Sequence, residues 1–101
     1  MGTLAKYLYI VRMDVDPENE PQFNAWYNDE HLPALLQVPG VLGAYRYVSV
    51  EGTPKYTAIY ELDSPRIRKS DAWKQAVKRT PRPKGITSTN ISRNLCERIT
   101  S

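Results

Sequence analysis

The segment from Phe23 to Tyr47, FNAWYNDEHLPALLQVPGVLGAYRY, decides how the rest of the chain is read. At about 100° per residue, Phe23, Tyr27, Ala34 and Val38 share one narrow stripe, with Trp26 and Glu30 on one flank and His31 on the other. That pattern predicts an amphipathic helix with one buried face. Pro33 has no amide hydrogen, its ring crowds the Asp29 carbonyl, and it steers Leu32 away from helical dihedrals. The helix should therefore kink or restart between Glu30 and Pro33, where the chain's single histidine sits. Pro39-Gly40 ends it. From Val41 to Glu51, Val41, Gly43, Tyr45 and Tyr47 alternate with Leu42, Ala44, Arg46 and Val48, a strand apolar on both sides.

Working outward, Lys6 to Val15 alternates Tyr7, Tyr9, Val11 and Met13 with Leu8, Ile10 and Arg12 and predicts a first strand. Asp16 reads as an N-cap and Pro17 as the first helical residue, with Glu18 and Glu20 where the helix dipole favours acids. Glu51-Gly52-Thr53-Pro54 is a turn joining Val41 to Glu51 and Lys55 to Asp63 as an antiparallel hairpin. Ser64-Pro65 and Ser70-Asp71 are two successive caps, so Pro65 to Arg79 should be two short helical pieces burying Ile67, Trp73, Ala76 and Val77. Thr80 to Gly85, with two prolines and a glycine, is a loop. Thr89 to Thr100 is a weakly patterned last strand, suited to a sheet edge.

The order βαββαβ gives an α+β fold of the ferredoxin-like kind: a four-stranded antiparallel sheet with two helices on one face. The 101 residues, 41% hydrophobic and 25% charged, suit one domain spanning residues 1–101. The placement of Tyr7, Tyr9, Val11, Tyr45, Tyr47, Tyr56 and Tyr60 suggests that the face away from the helices is also apolar and aromatic. Such a face is larger than a monomer tolerates, so two sheets packed against each other in a homodimer are expected.

Composition excludes several functions. Cys96 is the one cysteine and His31 the one histidine, so an internal disulfide and zinc-type spacing are both ruled out. The net charge of +3 is concentrated in Arg66 to Lys84, where eight Lys or Arg face the single acid Asp71, and this block reads as the solvated face of a helix and its loop. No phosphate-cradling glycine loop or dinucleotide fingerprint is present, and the basic block lacks the interleaved aromatics of a nucleic-acid surface. The N-terminal apolar run is too short for a signal peptide, and Lys6 stands where a myristoylation motif needs Ser or Thr. A cytoplasmic protein with no nucleic-acid or membrane partner is expected.

The runs AWYNDEHLPALLQVPGVLGAYRY, KYTAIYELDSP and SDAWKQAV resemble small proteins of the dimeric α+β barrel superfamily, in particular its EthD-like and related uncharacterised branches. The resemblance covers Tyr7 to Val77 and is most specific in the His-Leu-Pro, Pro-Gly-Val and Tyr-Arg-Tyr series. It implies a homodimer whose sheets pack face to face, each subunit holding a pocket between sheet and helices. Activities in the superfamily include cofactor-independent cyclases, dehydratases, decarboxylases and muconolactone-type isomerases. The resemblance places His31 at the pocket. Haem-degrading relatives use a histidine on the second helix, where Pro65 to Arg79 has none, so a cofactor-free protein is expected. The proline-rich, basic Thr80 to Gly85 departs from the relatives.

His31 is the side chain that titrates near neutrality; at a helical end the dipole favours its protonated form, and it can serve as general acid or base or simply satisfy carbonyls freed by Pro33. Glu30, beside the apolar stripe, would be a desolvated partner acid or a rim residue paired with Arg46. Tyr27, one turn before His31, is the second catalytic candidate, able to donate to a developing oxyanion or to pack as core. Candidate substrate-binding residues are Trp26 and Trp73 as walls for a planar molecule, Tyr45, Tyr47 and Tyr60 on the sheet, and Arg46 for a carboxylate. Together they describe a lyase, cyclase or isomerase acting on a small aromatic or polyketide-like carbonyl compound by proton transfer. The alternative is a non-catalytic homodimer that binds a small apolar ligand or serves as a scaffold.

Overall fold

The computed structural model describes residues 5–101; residues 1–4, on which the leader and lipidation readings bear, lie outside the described residues. Four strands, β1 (Tyr7–Val15), β2 (Val41–Val48), β3 (Tyr56–Leu62) and β4 (Ser88–Glu97), form one antiparallel sheet in the order β2-β3-β1-β4. Helices α1 (Glu20–Trp26), α2 (Leu32–Leu36) and α3 (Asp71–Arg79), with short 3-10 turns at Pro17–Asn19 and Ile67–Lys69, supply the second layer. The expected βαββαβ ferredoxin-like arrangement is the observed one, with β4 at an edge.

The helix break takes a different form from the one expected. Tyr27–His31 is a π-helical turn joining α1 to α2, and Leu32 keeps helical dihedrals (φ −62, ψ −47) despite preceding Pro33. The wider turn keeps the backbone helical through the missing amide and the crowded ring. Asp16 precedes the first turn but its side chain makes no capping hydrogen bond. Ser70 does cap α3, accepting from the Trp73 amide at 3.2 Å.

Register assigns the faces. Tyr9 pairs with Tyr60 and Leu95, and Val11 with Ala58 and Arg93, so these side chains share the helix-covered face. Tyr45 pairs with Ile59, and Leu8 with Cys96, on the opposite face. The expectation that Tyr7, Tyr9, Val11, Tyr56 and Tyr60 help form the open face is therefore corrected: alternation within β1 and β3 turns all five toward the helices, where Tyr9, Val11 and Tyr60 are buried with Phe23, Trp26, Tyr27, Leu35 and Trp73 and Tyr7 and Tyr56 pack against them. Val77 is also corrected, because it is exposed while Trp73 and Ala76 are buried.

Gly40, at φ +94, turns the chain from α2 into β2, and a Cβ there would collide with the Ile67 side chain. Gly40→Ala combines left-handed strain with this clash and is expected to cost about 1–3 kcal/mol, read as a lower urea midpoint at unchanged slope.

Candidate functional site

The helix layer does not close over the whole sheet. Between β1, β4, the π turn and α3 lies an open cavity of about 600 Å³ whose floor is aromatic: Tyr9, Trp26, Tyr27, Tyr60 and Trp73 line it together with His31. The π turn brings this floor together. It stacks the His31 imidazole on Trp26 (centroids 4.6 Å apart, 22° between planes) and sets it edge-on to Tyr27 at 5.0 Å.

Hydrogen bonding fixes the imidazole tautomer. The Thr80 hydroxyl, at the C-terminal end of α3, donates its one hydrogen to the Ala76 carbonyl at 2.9 Å. Its oxygen also lies 2.9 Å from His31 Nδ1 and must therefore accept there, so Nδ1 carries the hydrogen. In the neutral ring Nε2 then keeps a free lone pair, and among the described residues it has no hydrogen-bond partner.

The ring is neutral over the physiological range. Burial first, and then the positive charge of Arg82, push His31 down to about 4 from an ordinary 6.5, the opposite of the dipole-favoured protonation that its helical position suggested. Tyr27 and Tyr60 share a 2.8 Å hydrogen bond between hydroxyls. Burial raises both phenols above their ordinary value, so both stay protonated. One of their two hydroxyl hydrogens is used within the pair and the other is left for a third acceptor.

The remaining sequence candidates are divided. Trp26, Tyr27, His31, Tyr60 and Trp73 converge on the cavity. Arg46 does not line it: its guanidinium sits 4.5 Å from the Tyr27 ring centroid, bonded to Asn24 and Asn28 at 2.9 and 2.8 Å, and so braces α1 and the π turn against β2. Tyr45 and Tyr47 are on the opposite sheet face, because each lies one residue from Arg46 and a strand alternates. Glu30 is exposed and takes no part.

Sequence reasoning missed the upper half of the cavity. Thr80, Arg68, Lys69, Lys74, Arg82 and Arg93 all line it, and no acidic residue does. The block read as solvated surface supplies five of these. Its signal was the lack of compensating acids around Trp73. Arg82, from the proline-rich loop after α3, bonds Ser88 Oγ at 2.6 Å and holds its guanidinium 5.7 Å from the Trp26 ring centroid. Among the described residues no three His, Cys, Asp or Glu side chains are grouped to hold a metal, and no helix is long and apolar enough to cross a membrane.

Residues 6–77 match the model of a family described as a domain of unknown function, DUF4286. No curated protein matches the chain in sequence. Among solved structures, the chain is similar to the haem-degrader MhuD of Mycobacterium tuberculosis with two haems bound in its active site: TM-score 0.71, 17% identity, 94% of this chain and 97% of that one. A MhuD mutant holding two manganese protoporphyrins per active site gives a TM-score of 0.74 at 18% identity, over 94% and 96% of the two chains. An EthD family protein from Bacillus halodurans gives 0.65 at 16% identity, over 92% and 99%. These likenesses establish the ferredoxin-like α+β fold shared by EthD and antibiotic-biosynthesis-monooxygenase-type proteins.

The folded His31 value lies below the ordinary one, so the imidazole is neutral in both folded and unfolded chains well above pH 6.5 and contributes no pH dependence there. As pH falls from 6.5 toward 4, the unfolded chain takes up a proton that the folded chain resists. Stability is expected to drop across that window by on the order of 2 kcal/mol, and His31→Gln to flatten the slope in chemical denaturation at stepped pH.

Proposed function

The chain belongs to the DUF4286 family, whose description assigns no activity, and we propose that its members with this cavity are cofactor-free lyases, cyclases or isomerases moving a proton α to the carbonyl of a small aromatic or polyketide-like compound. The observation that carries this reading is the tautomer lock. An imidazole held by Thr80 at Nδ1 keeps Nε2 unprotonated and unpartnered beside an aromatic floor, as a general base requires.

In this mechanism a flat substrate lies against Trp26 and Trp73, which exclude water. His31 Nε2 takes the α-proton, and the spare hydroxyl hydrogen of the Tyr27–Tyr60 pair donates to the carbonyl oxygen as it becomes an enolate. Return of the proton to another carbon gives an isomerase; attack of the enolate carbon on a second carbonyl of the same molecule, with the proton passing to the new alkoxide oxygen, gives a cyclase; departure of a β-substituent with its bonding electron pair, taking up the proton, gives a lyase. A base as weak as His31, held near 4, suits an already acidified hydrogen, such as one flanked by two carbonyls, because proton transfer improves as the two pKa values approach each other.

The reading also takes residues 1–101 as one functional unit paired with a second copy through the sheet faces. Support comes from the open face, where Leu8, Tyr45, Tyr47 and Ile59 surround a second hollow of about 450 Å³ and Tyr47 is 57% exposed. Tyr47→Asp is expected to shift the protein from dimer to monomer in analytical ultracentrifugation while far-ultraviolet circular dichroism stays unchanged.

For the chemistry, 1,3-dicarbonyl and aromatic ketone substrates are to be screened by hydrogen–deuterium exchange at the α-carbon. His31→Gln is expected to lower exchange at least 100-fold, the usual scale for loss of a general base. The wild-type rate should be flat from pH 6 to 8 and fall only as pH approaches 4, where His31 gains its proton. Equal exchange by wild type and His31→Gln would reject the catalytic role and leave the second reading, a homodimer that binds a small ligand without transforming it.

A further inference from the structure

A smaller niche of about 150 Å³ opens beside the main cavity and shares Tyr9, Arg68, Lys69 and Arg93 with it; Pro65 and Leu95 complete its walls. Its cations come from two separate elements, Arg68 and Lys69 from the Ile67–Lys69 turn and Arg93 from the edge strand β4. The Arg68 guanidinium lies 4.6 Å from the Tyr9 ring centroid, which keeps this half-buried charge over the niche wall. None of the three cations has a side-chain hydrogen-bond or ion-pair partner among the described residues, whose one ion pair is Lys55–Glu20, outside both hollows. Arg82 adds a fourth positive charge, held below the usual arginine range by burial and then by the repulsion of Arg93.

Arg68 is half-buried, while Lys69 and Arg93 are exposed; like charges gathered around one hollow repel one another, and an anion seated among them removes that cost. We propose that this niche is an anion subsite and that the ligand of the cavity is a flat, apolar molecule carrying a carboxylate. The ring occupies the aromatic floor beside His31, and the carboxylate accepts hydrogen bonds from Arg68, Arg93 and Lys69. A carboxylate is favoured over a larger oxyanion because Tyr9, Pro65 and Leu95 make half of the niche wall apolar. The proposal rests on the reading of the cavity as a ligand site and names the class of ligand; it does not depend on what His31 does to it.

The test uses the full chain and three probes of one ring system: 2-naphthoate, its neutral isostere 2-naphthamide, and 2-naphthyl phosphate, titrated by isothermal calorimetry. Naphthoate is expected to bind at least about tenfold more tightly than the amide at low salt, with the preference shrinking at high salt. Arg68→Gln combined with Arg93→Gln should abolish the preference while amide binding stays within twofold, which also reports that the cavity remains folded. Naphthoate binding no tighter than the amide, or absent, overturns the proposal. So does a preference that survives both substitutions, and phosphate binding tighter than naphthoate overturns the assignment to a carboxylate. His31→Gln should leave the naphthoate-to-amide ratio unchanged, so lost turnover and lost anion preference report on separate ideas.

Discussion

A hydrogen bond between the His31 imidazole and the Thr80 hydroxyl joins the π turn of the first helical layer to the C-terminal end of α3, and the cavity depends on it. The bond orders two things at once. It fixes which ring nitrogen carries hydrogen, and it ties together two helical elements that pack on the same sheet. Thr80 can accept from the ring only because Ala76 takes its hydrogen, so the geometry runs back into the last turn of α3. A valine of similar shape would pack there but could neither accept from the ring nor donate to Ala76, leaving a buried carbonyl and the Nδ1–H unpaired.

Electrostatics then separate the floor of the cavity from its rim. The floor holds groups that burial keeps uncharged: the imidazole depressed toward 4 and two phenols raised by desolvation. The rim holds five cations without an acid among the lining residues. A field of one sign over a low-dielectric floor draws anionic molecules inward, while the neutral floor accepts an apolar ring without desolvating a charge. The same field helps keep His31 deprotonated, so the rim's charge and the base's readiness have a common source.

The fold was legible because its signals are local and repeated. Alternation marked four strands, proline-led caps marked both helical regions, and Pro39-Gly40 marked the entry to β2. The site was legible only in its floor, where Trp26, Tyr27 and His31 lie within six consecutive residues and are gathered by helical geometry alone. Arg46 was misplaced because its use depends on Asn24 and Asn28, neighbours on α1 and the π turn, which β2 alone does not reveal. Thr80 and Arg93 carried no local signal: one acts through a residue 49 positions earlier, and the other faces the cavity only because β4 pairs Arg93 with Val11.

That pairing explains how a short chain divides its aromatic residues between two tasks. In β2 the sequence Tyr45-Arg46-Tyr47 sends both tyrosines to the open face and the arginine to the helices, while in β3 Tyr60 pairs with Ala44 and turns inward. A shift of one residue in the β2–β3 register would bury Tyr45 and Tyr47 and expel Arg46 from beneath α1. Arg46 resists such a slip: its bonds to Asn24 and Asn28 and its position over the Tyr27 ring are available in one register only. The arginine that the sequence offered as a ligand for substrate thus holds the register of β2, while the pairing of Tyr60 with Tyr9 in β1 turns Tyr60 toward Tyr27 and sets the phenol pair at the base of the cavity.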